Sequence, residues 1–357
     1  MKFTSTAAGA MLAALAMAAP VEERQSTNID TTILQFALTL EHLENVFYKS
    51  ALTNFTAADF AVAGYGADYY NNLKYIAHDE EVHVQVLSAA LTAAGITPNL
   101  ACTYSFPYTD VLSFITLSSV LEGVGTSAYL AGAPLITSKY YLTVAGSILV
   151  TEALHTSMQR GAINEVPMAN PFGTPLDPTS VYTLAASFIV SCPASNAPLP
   201  FVPFPGLAYN SRGCTCEEPN CSPPQLQKRG YPSPTKSYEH STMATKTWGH
   251  PKPTSSSLSD TCPPPMAGAT VMFTAAKAVP AGSFLTFVNG LSVVSVAGTI
   301  SGKSISAAIP SVAMGQTYVF VTSSDQEGTL SDAAVLFGPA IVEVYPPAPS
   351  INYSVLK

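Results

Sequence analysis

The stretch that decides the fold is Ile76–Leu87, which reads IAHDEEVHVQVL. Within it, Glu80 and His83 stand three residues apart, and residues i and i+3 of an α-helix lie on the same face. A carboxylate and an imidazole that project from one helix face suit a divalent transition metal. One Glu-x-x-His pattern is a weak signal, because solvated helix faces carry the same residues. Other ligand residues elsewhere in the chain are needed before this pattern indicates a metal site.

The same pattern recurs at Glu152 and His155, in ILVTEALHTSM. Two other apolar helical runs each carry a lone glutamate, Glu41 in FALTLEHLENVFY and Glu122 in TLSSVLEGVGTSAY. Two single-glutamate helices and two Glu-x-x-His helices are the ligand set of a four-helix bundle that holds two metal ions. The sequence therefore predicts six metal ligands: Glu41, Glu80, His83, Glu122, Glu152 and His155.

The two halves of the predicted bundle repeat each other. Tyr48 follows Glu41 by seven residues, and Tyr129 follows Glu122 by the same interval. Seven residues fall about 20° short of two helical turns, so each tyrosine lies on the face of its glutamate. We expect both tyrosines to hydrogen-bond a ligand carboxylate or histidine. Glu44 is either a further ligand or proton relay, or a residue that bonds locally or faces solvent.

Buried carboxylates favour a metal site on physical grounds. Four glutamates that project into one bundle core repel each other, and each loses its hydration at a cost of several kcal/mol. Protonation relieves part of this cost, while two divalent cations neutralise all four charges. Mixed oxygen and nitrogen ligands suit iron or manganese. We therefore expect two Fe or Mn ions as cofactors.

Hydrophobic periodicity divides the chain into a helical part, a linker and a β part. Residues 28–192 carry four long helical patterns, at about 30–52, 67–94, 110–131 and 139–163, and a short fifth at 180–190. Residues 193–265 lose this periodicity and are rich in Pro, Ser, Thr, Gly and Cys, which is typical of a linker. Residues 266–350 contain at least six short strand patterns separated by turns, which predict a small antiparallel β-sandwich.

The composition and the first residues bear on compartment and partners. Net charge is −8 and no basic cluster occurs, which argues against nucleic acid as a partner. Residues 1–19 combine Lys2 with the apolar run AAGAMLAALAMAA and an Ala-x-Ala cleavage pattern, so they predict a signal peptide and a secreted protein. No later run of about 18 uninterrupted apolar residues occurs, so we predict no transmembrane segment.

Six cysteines fit an oxidising compartment. We predict a Cys102–Cys192 disulfide and two bridges among Cys214, Cys216, Cys221 and Cys262, with a zinc site in that second group as the alternative. Sequons at Asn54 and Asn352, and a poorer one at Asn220, predict a glycoprotein. Lys228-Arg229 is either a pair of solvated charges or a processing site.

The segments LEHLENVFY, HDEEVH, LEGVGTSAY and TEALH resemble the ferritin-like superfamily, and in particular the ferritin-like-domain proteins that fungi secrete, including the stress-response Rds1 type. The resemblance covers residues about 30–192 and implies a ferritin-like antiparallel four-helix bundle there. Together with the β-sandwich that the strand patterns predict, we expect a multi-domain α + β protein. The superfamily's di-iron pattern transfers to all six predicted ligands.

Two functions follow from this resemblance. The first is a di-metal centre with dioxygen- or peroxide-linked redox chemistry, like that of a ferroxidase or manganese catalase, in a stress response. The alternative is a non-catalytic secreted structural or cell-surface stress protein in which the bundle is only a scaffold. The sequence leaves open whether the chain is an enzyme and what its oligomeric state is. Contact with cell wall or glycan through the β-domain is a further expectation.

Overall fold

The computed structural model of the chain describes residues 29–210, 265–352 and 354. The predicted signal peptide, the four cysteines from Cys214 to Cys262, the Asn220 sequon and Lys228-Arg229 lie outside the described residues. In the helical part, the helices are α1 (Ile29–Asn54), α2 (Ala57–Val62), α3 (Ala67–Ala93), α4 (Val111–Gly132), α5 (Lys139–Ala162) and α6 (Pro178–Ala186). The predicted long helices are thus observed.

Local sequence signals explain where these helices begin. Asp110 and Ser113 form a reciprocal capping box at the start of α4, and the Ser138 side chain accepts from the Tyr141 amide at the start of α5. Asp30, buried in α1, accepts hydrogen bonds from the Thr137 amide at 2.6 Å and the Ser138 amide at 2.9 Å. This carboxylate therefore ties the first turn of α1 to the start of α5.

The helices pack in two pairs, with α1 along α3 and α4 along α5, and α1 also contacts α4. Apolar side chains fill the space between them, including the fully buried Leu38, Phe47, Leu73 and Phe114. Among the described residues, one helical segment, Val111–Leu135, has the length and apolar composition to cross a membrane, and 61% of its apolar window is buried inside the protein. A core helix of a bundle has the same composition.

The end of the helical part differs from the prediction. We predicted a short fifth helix over residues 180–190, but α6 ends at Ala186 and a strand, β2 (Ile189–Ser191), follows. β2 pairs antiparallel with β1 (Thr103–Tyr104), which lies in the loop between α3 and α4. The predicted Cys102–Cys192 disulfide is confirmed and joins these two segments. Pairing across the loop, supported by the disulfide, overrides local helical propensity here.

The β part is a sandwich of two four-stranded antiparallel sheets, in the orders β10-β9-β5-β6 and β3-β4-β8-β7. Its core contains Phe273, Leu285, Ile305 and Val319. The strands are β3 (Leu207–Tyr209), β4 (Thr270–Ala275), β5 (Phe284–Asn289), β6 (Ser292–Ala297), β7 (Thr299–Ser301), β8 (Ser304–Ala308), β9 (Gly315–Thr322) and β10 (Val335–Val344). The predicted β-sandwich and its six strands are therefore observed.

The structure adds two features to the predicted domain division. β3 lies inside the predicted linker, 193–265, yet it pairs with β4 through Leu207 opposite Ala275. Three residues are too few for a strand pattern to be seen in the sequence. The predicted bundle and sandwich domains also share one compact unit, since Tyr318 and Phe320 of β9 belong to the same apolar cluster as Phe114 of α4.

Candidate metal centre

All six predicted ligands meet inside the helical part. Glu41 comes from α1 and Glu122 from α4, while α3 and α5 each supply a glutamate and a histidine at i and i+3. The four glutamates are fully buried, and the two histidines are 7% exposed or less. The i, i+3 spacing therefore aims both pairs inward.

The side chains form two overlapping groups, each with ligand atoms within 4.8 Å of one another. Glu80 and Glu152 belong to both groups. Glu41 and His83 complete the first group, and Glu122 and His155 complete the second. The Glu80 and Glu152 carboxylates therefore lie where they can bridge two ions, a role that sequence spacing alone did not assign.

Each histidine presents its Nδ1 atom to carboxylate oxygens from more than one helix. His83 Nδ1 lies 3.2 Å from both Glu41 Oε2 and Glu80 Oε2, and 3.4 Å from Glu152 Oε1. His155 Nδ1 lies 2.9 Å from Glu80 Oε1 and 3.4 Å from Glu122 Oε2. Glu80 thus directs one oxygen to each histidine, which is the geometry of a shared carboxylate.

Several of these atoms have no hydrogen bond among the described residues, which tests whether the site fits a metal. They are Glu80 Oε1, Glu122 Oε2, both Glu152 oxygens and His155 Nδ1. Glu80 Oε1 and His155 Nδ1 lie 2.9 Å apart as an ionic contact rather than a hydrogen bond. Buried polar atoms usually have partners. Unpaired oxygens and a nitrogen that converge on a shared space fit metal ions with mixed O and N ligands.

Burial and charge set the protonation of the carboxylates in the metal-free protein. Burial raises the pKa of Glu152 well above its ordinary value, and the charge of Glu80 adds to this. Burial likewise raises the pKa of Glu80, to about 7. For Glu41, burial also raises the pKa, but the charge and hydrogen bond of His83 outweigh it and the pKa is lowered. The metal-free site therefore holds protons where cations would bind.

Burial acts on the pKa values of the two histidines in the opposite direction, because it disfavours a charged imidazole. Burial lowers the pKa of His83, but the Glu41 charge and hydrogen bonds to surrounding carboxylates outweigh burial and raise it. The pKa of His155 is raised in the same way, with the Glu122 charge as the main opposing cause. Charged imidazoles thus offset part of the carboxylate charge when no metal is bound.

Each of the two tyrosines hydrogen-bonds a glutamate from the other half of the sequence repeat. The Tyr48 hydroxyl donates to Glu122 of the other half, and the Tyr129 hydroxyl donates to Glu41. The Tyr48 hydroxyl also hydrogen-bonds Ser118 Oγ at 2.6 Å. The tyrosines therefore contact predicted ligand carboxylates, as expected, but each contacts the glutamate of the opposite half. Such bonds fix the orientation of a carboxylate before a metal binds.

Asp79 and Gln159 were missed at the sequence level. Asp79 Oδ2 lies 3.3 Å from His155 Nε2, on the side of the ring opposite the carboxylates. Gln159, fully buried on α5, donates to the Tyr48 hydroxyl at 3.3 Å. A carboxylate on the second ring nitrogen orients a ligand histidine and raises its basicity. Asp79 neighbours Glu80 in sequence, but its partner is on another helix, so no spacing rule identifies it.

Glu44 and Gly125 complete the centre. Glu44 is buried, and its Oε2 atom has no hydrogen-bond partner among the described residues. Burial raises its pKa well above the ordinary value, followed by the charge of Glu152. A Cβ atom at Gly125 would lie 2.7 Å from Glu152 Oε2 and 2.9 Å from Glu44 Oε1. Gly125 therefore leaves the space that these two carboxylates occupy.

Comparison with known proteins agrees with this geometry. Residues 29–165 match the family described as "Ferritin-like domain", and this range contains every predicted ligand. The chain is also similar to protein rds1 of Schizosaccharomyces pombe, with 28% identity over 222 residues. The match covers 62% of this chain and 53% of rds1, so the chain spans about half the length of the curated relative it matches.

Proposed function

Because residues 29–165 match the ferritin-like domain family, we propose that this chain binds two Fe or Mn ions and supports redox chemistry with dioxygen or peroxide. The observation that carries the proposal is the pair of overlapping ligand groups that share Glu80 and Glu152. When bound, the metal pair would supply the electrons for reduction of dioxygen or peroxide. The buried carboxylates and imidazoles match the ligand types that these metals accept.

The residues at the centre would have different roles. Glu41 and His83 would hold one ion, Glu122 and His155 the other, and the two shared carboxylates would join them. Tyr48 and Tyr129 keep the terminal carboxylates oriented through their hydroxyl groups. Glu44, whose pKa is raised by burial, holds a proton beside Glu152. Glu44 could donate that proton to the reduced oxygen product. The apolar bundle core excludes bulk water from the surroundings of Glu44.

The setting in which we propose that this chemistry operates is extracellular. The Cys102–Cys192 disulfide fits an oxidising compartment, and Asn54 and Asn352 are exposed, so their sequons are accessible to glycosylation. Together with the predicted signal peptide, these features support a secreted glycoprotein. A role in a stress response is the part of the proposal that rests on the resemblance to the Rds1 type. Contact with cell wall or glycan through the β-sandwich belongs to the same proposal.

The proposal is tested by metal analysis of protein purified without chelators, followed by anaerobic reconstitution with Fe(II) or Mn(II). We expect two ions per chain, and oxidation of bound Fe(II) by dioxygen or consumption of peroxide by the Mn form. Glu80→Gln should lose one or both ions. Glu81→Gln is the matched control, because Glu81 is the next residue and pairs with Lys49 at the surface. Failure of the wild-type protein to take up either metal contradicts the proposal.

A structural metal site is the second candidate, because the six ligands and the buried Glu44 offer many donor atoms to the ions. In structural sites protein ligands fill the coordination shell, whereas catalytic sites keep an open coordination position. In that case metal uptake would raise the thermal unfolding temperature, yet the loaded protein would neither oxidise Fe(II) with dioxygen nor consume peroxide. The reconstitution experiment therefore separates a catalytic centre from a scaffold.

A further inference from the structure

An apolar cavity, partly open at the protein surface, is lined mainly by α1, α4 and α5 and reaches Tyr129 beside the predicted metal ligands. Its wall includes Leu34, Leu87, Tyr129 and Val144, and apart from tyrosine hydroxyl groups the lining side chains are hydrocarbon. Its volume is about 30 Å³. A water-sized molecule needs roughly 10–15 Å³ by the same measure, so the cavity has room for about two.

Tyr129 connects this cavity to the metal centre. Its ring forms part of the cavity wall, and its hydroxyl donates to Glu41. Leu40, which precedes Glu41 in α1, also lines the cavity. A molecule in the cavity would therefore be separated from a predicted ligand by a single side chain.

The lining determines what the cavity can hold. An ordered water needs two to four polar partners, which hydrocarbon walls do not supply, whereas an apolar guest such as xenon needs none. The space exists because small residues face it, among them Ala37, Ala128, Gly132 and Ala145. A Cβ atom at Gly132 would meet only Ile33 Cγ2, at 3.7 Å, so larger side chains at this position extend into available room.

We propose that this cavity is a binding site for a small apolar molecule of the size of dioxygen, which it holds next to the metal centre behind Tyr129. The inference rests on the proposed dioxygen chemistry for its purpose, but the binding itself needs no metal. Apolar surroundings concentrate a nonpolar gas relative to water, so the cavity raises the local concentration of the oxidant.

Xenon tests the binding directly in metal-free protein. Crystals of the full chain pressurised with xenon should show a xenon atom between Leu34, Tyr129 and Gly132. Gly132→Leu should abolish it. Gly146→Leu adds the same side chain to α5 where, beyond the helix's own backbone and adjacent residues, no described atom lies within 4 Å of the new Cβ, so that variant should keep the xenon. No xenon in the wild-type cavity, or equal xenon in Gly132→Leu, overturns the proposal.

A second measurement tests the link to chemistry. In Fe(II)-loaded protein, Gly132→Leu should raise the KM for dioxygen severalfold and leave kcat unchanged, while Gly146→Leu should change neither. An unaltered KM in a variant that has lost xenon would show that the cavity does not serve the metal centre, which overturns its role as a dioxygen site. Gly132→Ala, which fits without strain, replaces Gly132→Leu if the larger side chain prevents folding.

If the wild-type protein binds no metal, the proposed function fails, but the xenon result still decides whether the cavity binds an apolar molecule. The two failures are therefore distinguishable. A xenon site in metal-free protein supports the cavity proposal on its own, and its loss in the filled variant locates the site.

Discussion

Five buried glutamates in one helical core are costly unless something neutralises them. Each buried carboxylate loses its hydration, and like charges a few ångströms apart repel. Two charged histidines and the protons held by raised-pKa carboxylates offset part of this in the metal-free protein, while divalent cations would offset more. The five glutamates are Glu41, Glu44, Glu80, Glu122 and Glu152.

Replacing one ligand histidine should remove metal binding and metal-dependent stabilisation together. We expect His83→Ala to lose metal, because its Nδ1 atom contacts carboxylates from three helices. A metal present at about 100 times its Kd stabilises a fold by ~2.7 kcal/mol, and the variant should lose most of that gain. Thermal unfolding with and without Mn(II), combined with elemental analysis, measures both effects.

His78→Ala is the matched control, because His78 lies on the same helix but is exposed. It should keep both metal content and metal-dependent stabilisation. Unchanged metal content in His83→Ala would contradict the ligand assignment.

Metal-dependent stabilisation should increase with pH. Burial raises the pKa of Glu80 from 4.5 to about 7, so between these values the folded metal-free protein holds more protons than the unfolded chain. Its stability therefore falls as pH rises through this range. The raised pKa values of His83 and His155 act in the same direction above 6.5.

Mn(II) must displace these protons, so its binding strengthens as they are lost. We expect the rise in unfolding temperature on Mn(II) addition to grow from about pH 4.5 to pH 7. Calorimetric scans of metal-free and loaded protein at several pH values test this. A stabilisation that does not change with pH would mean that the buried carboxylates are already ionised.

Among the elements, the helices were the most predictable part of the centre. Apolar residues at the helical period fix which face is buried, and the i, i+3 rule then aims Glu80 with His83, and Glu152 with His155, into the core. The contacts of Asp79 and Gln159 were not predictable, because they depend on how far α3 and α5 are rotated and displaced relative to their neighbours. Hydrophobic periodicity predicts which face of a helix is buried, but not which atoms of the neighbouring helices that face contacts.

Gly125 shows how an element adapts to the site. Gly→Ala inside a helix normally stabilises it by about 1 kcal/mol. At Gly125 the added Cβ would lie 2.7 Å from Glu152 Oε2, so the carboxylate must move. We expect Gly125→Ala to weaken metal affinity about tenfold, the scale seen when groups that support ligands are changed. Metal titration monitored by calorimetry measures the change.

The control for this substitution is Gly146→Ala on α5, where the new Cβ has no neighbour within 4 Å in the described part of the chain outside its own helix. That variant should be slightly more stable and should bind metal as the wild-type protein does. Equal metal affinity in both variants would show that the carboxylates beside Gly125 can adjust freely.

At the level of the whole molecule, the sequence predicted a bundle and a β-sandwich but not their close association. The contacts join residues about 190 positions apart, such as the Tyr318 hydroxyl with Ser127 at 2.8 Å and with the Gly123 carbonyl at 3.1 Å. Gln316 lies against Gly123, where a Cβ would come within 2.5 Å of its side chain. No local sequence pattern predicts such contacts, because each partner is an ordinary polar or small residue in its own segment. The sandwich thus packs on α4, the helix that supplies Glu122.

A largely buried ion pair also joins the sandwich to α5. Arg160 is 4% exposed and donates to both oxygens of Glu343 on β10, at 3.0 and 2.7 Å. A bidentate pair of this kind is geometrically specific, and loss of one partner leaves the other charge poorly solvated. The structure therefore predicts that helices and sandwich unfold together.

Arg160→Met should reduce the free energy of unfolding by about 2–3 kcal/mol, somewhat less than for a fully buried pair because Glu343 is partly exposed. Hydrogen exchange measured by mass spectrometry should show the loss equally in α5 and in β9 and β10, since one cooperative unit opens as a whole. Lys49→Met breaks an exposed pair with Glu81 and should cost under about 1 kcal/mol. Faster exchange confined to the sandwich would mean that the helices hold the metal centre without its support.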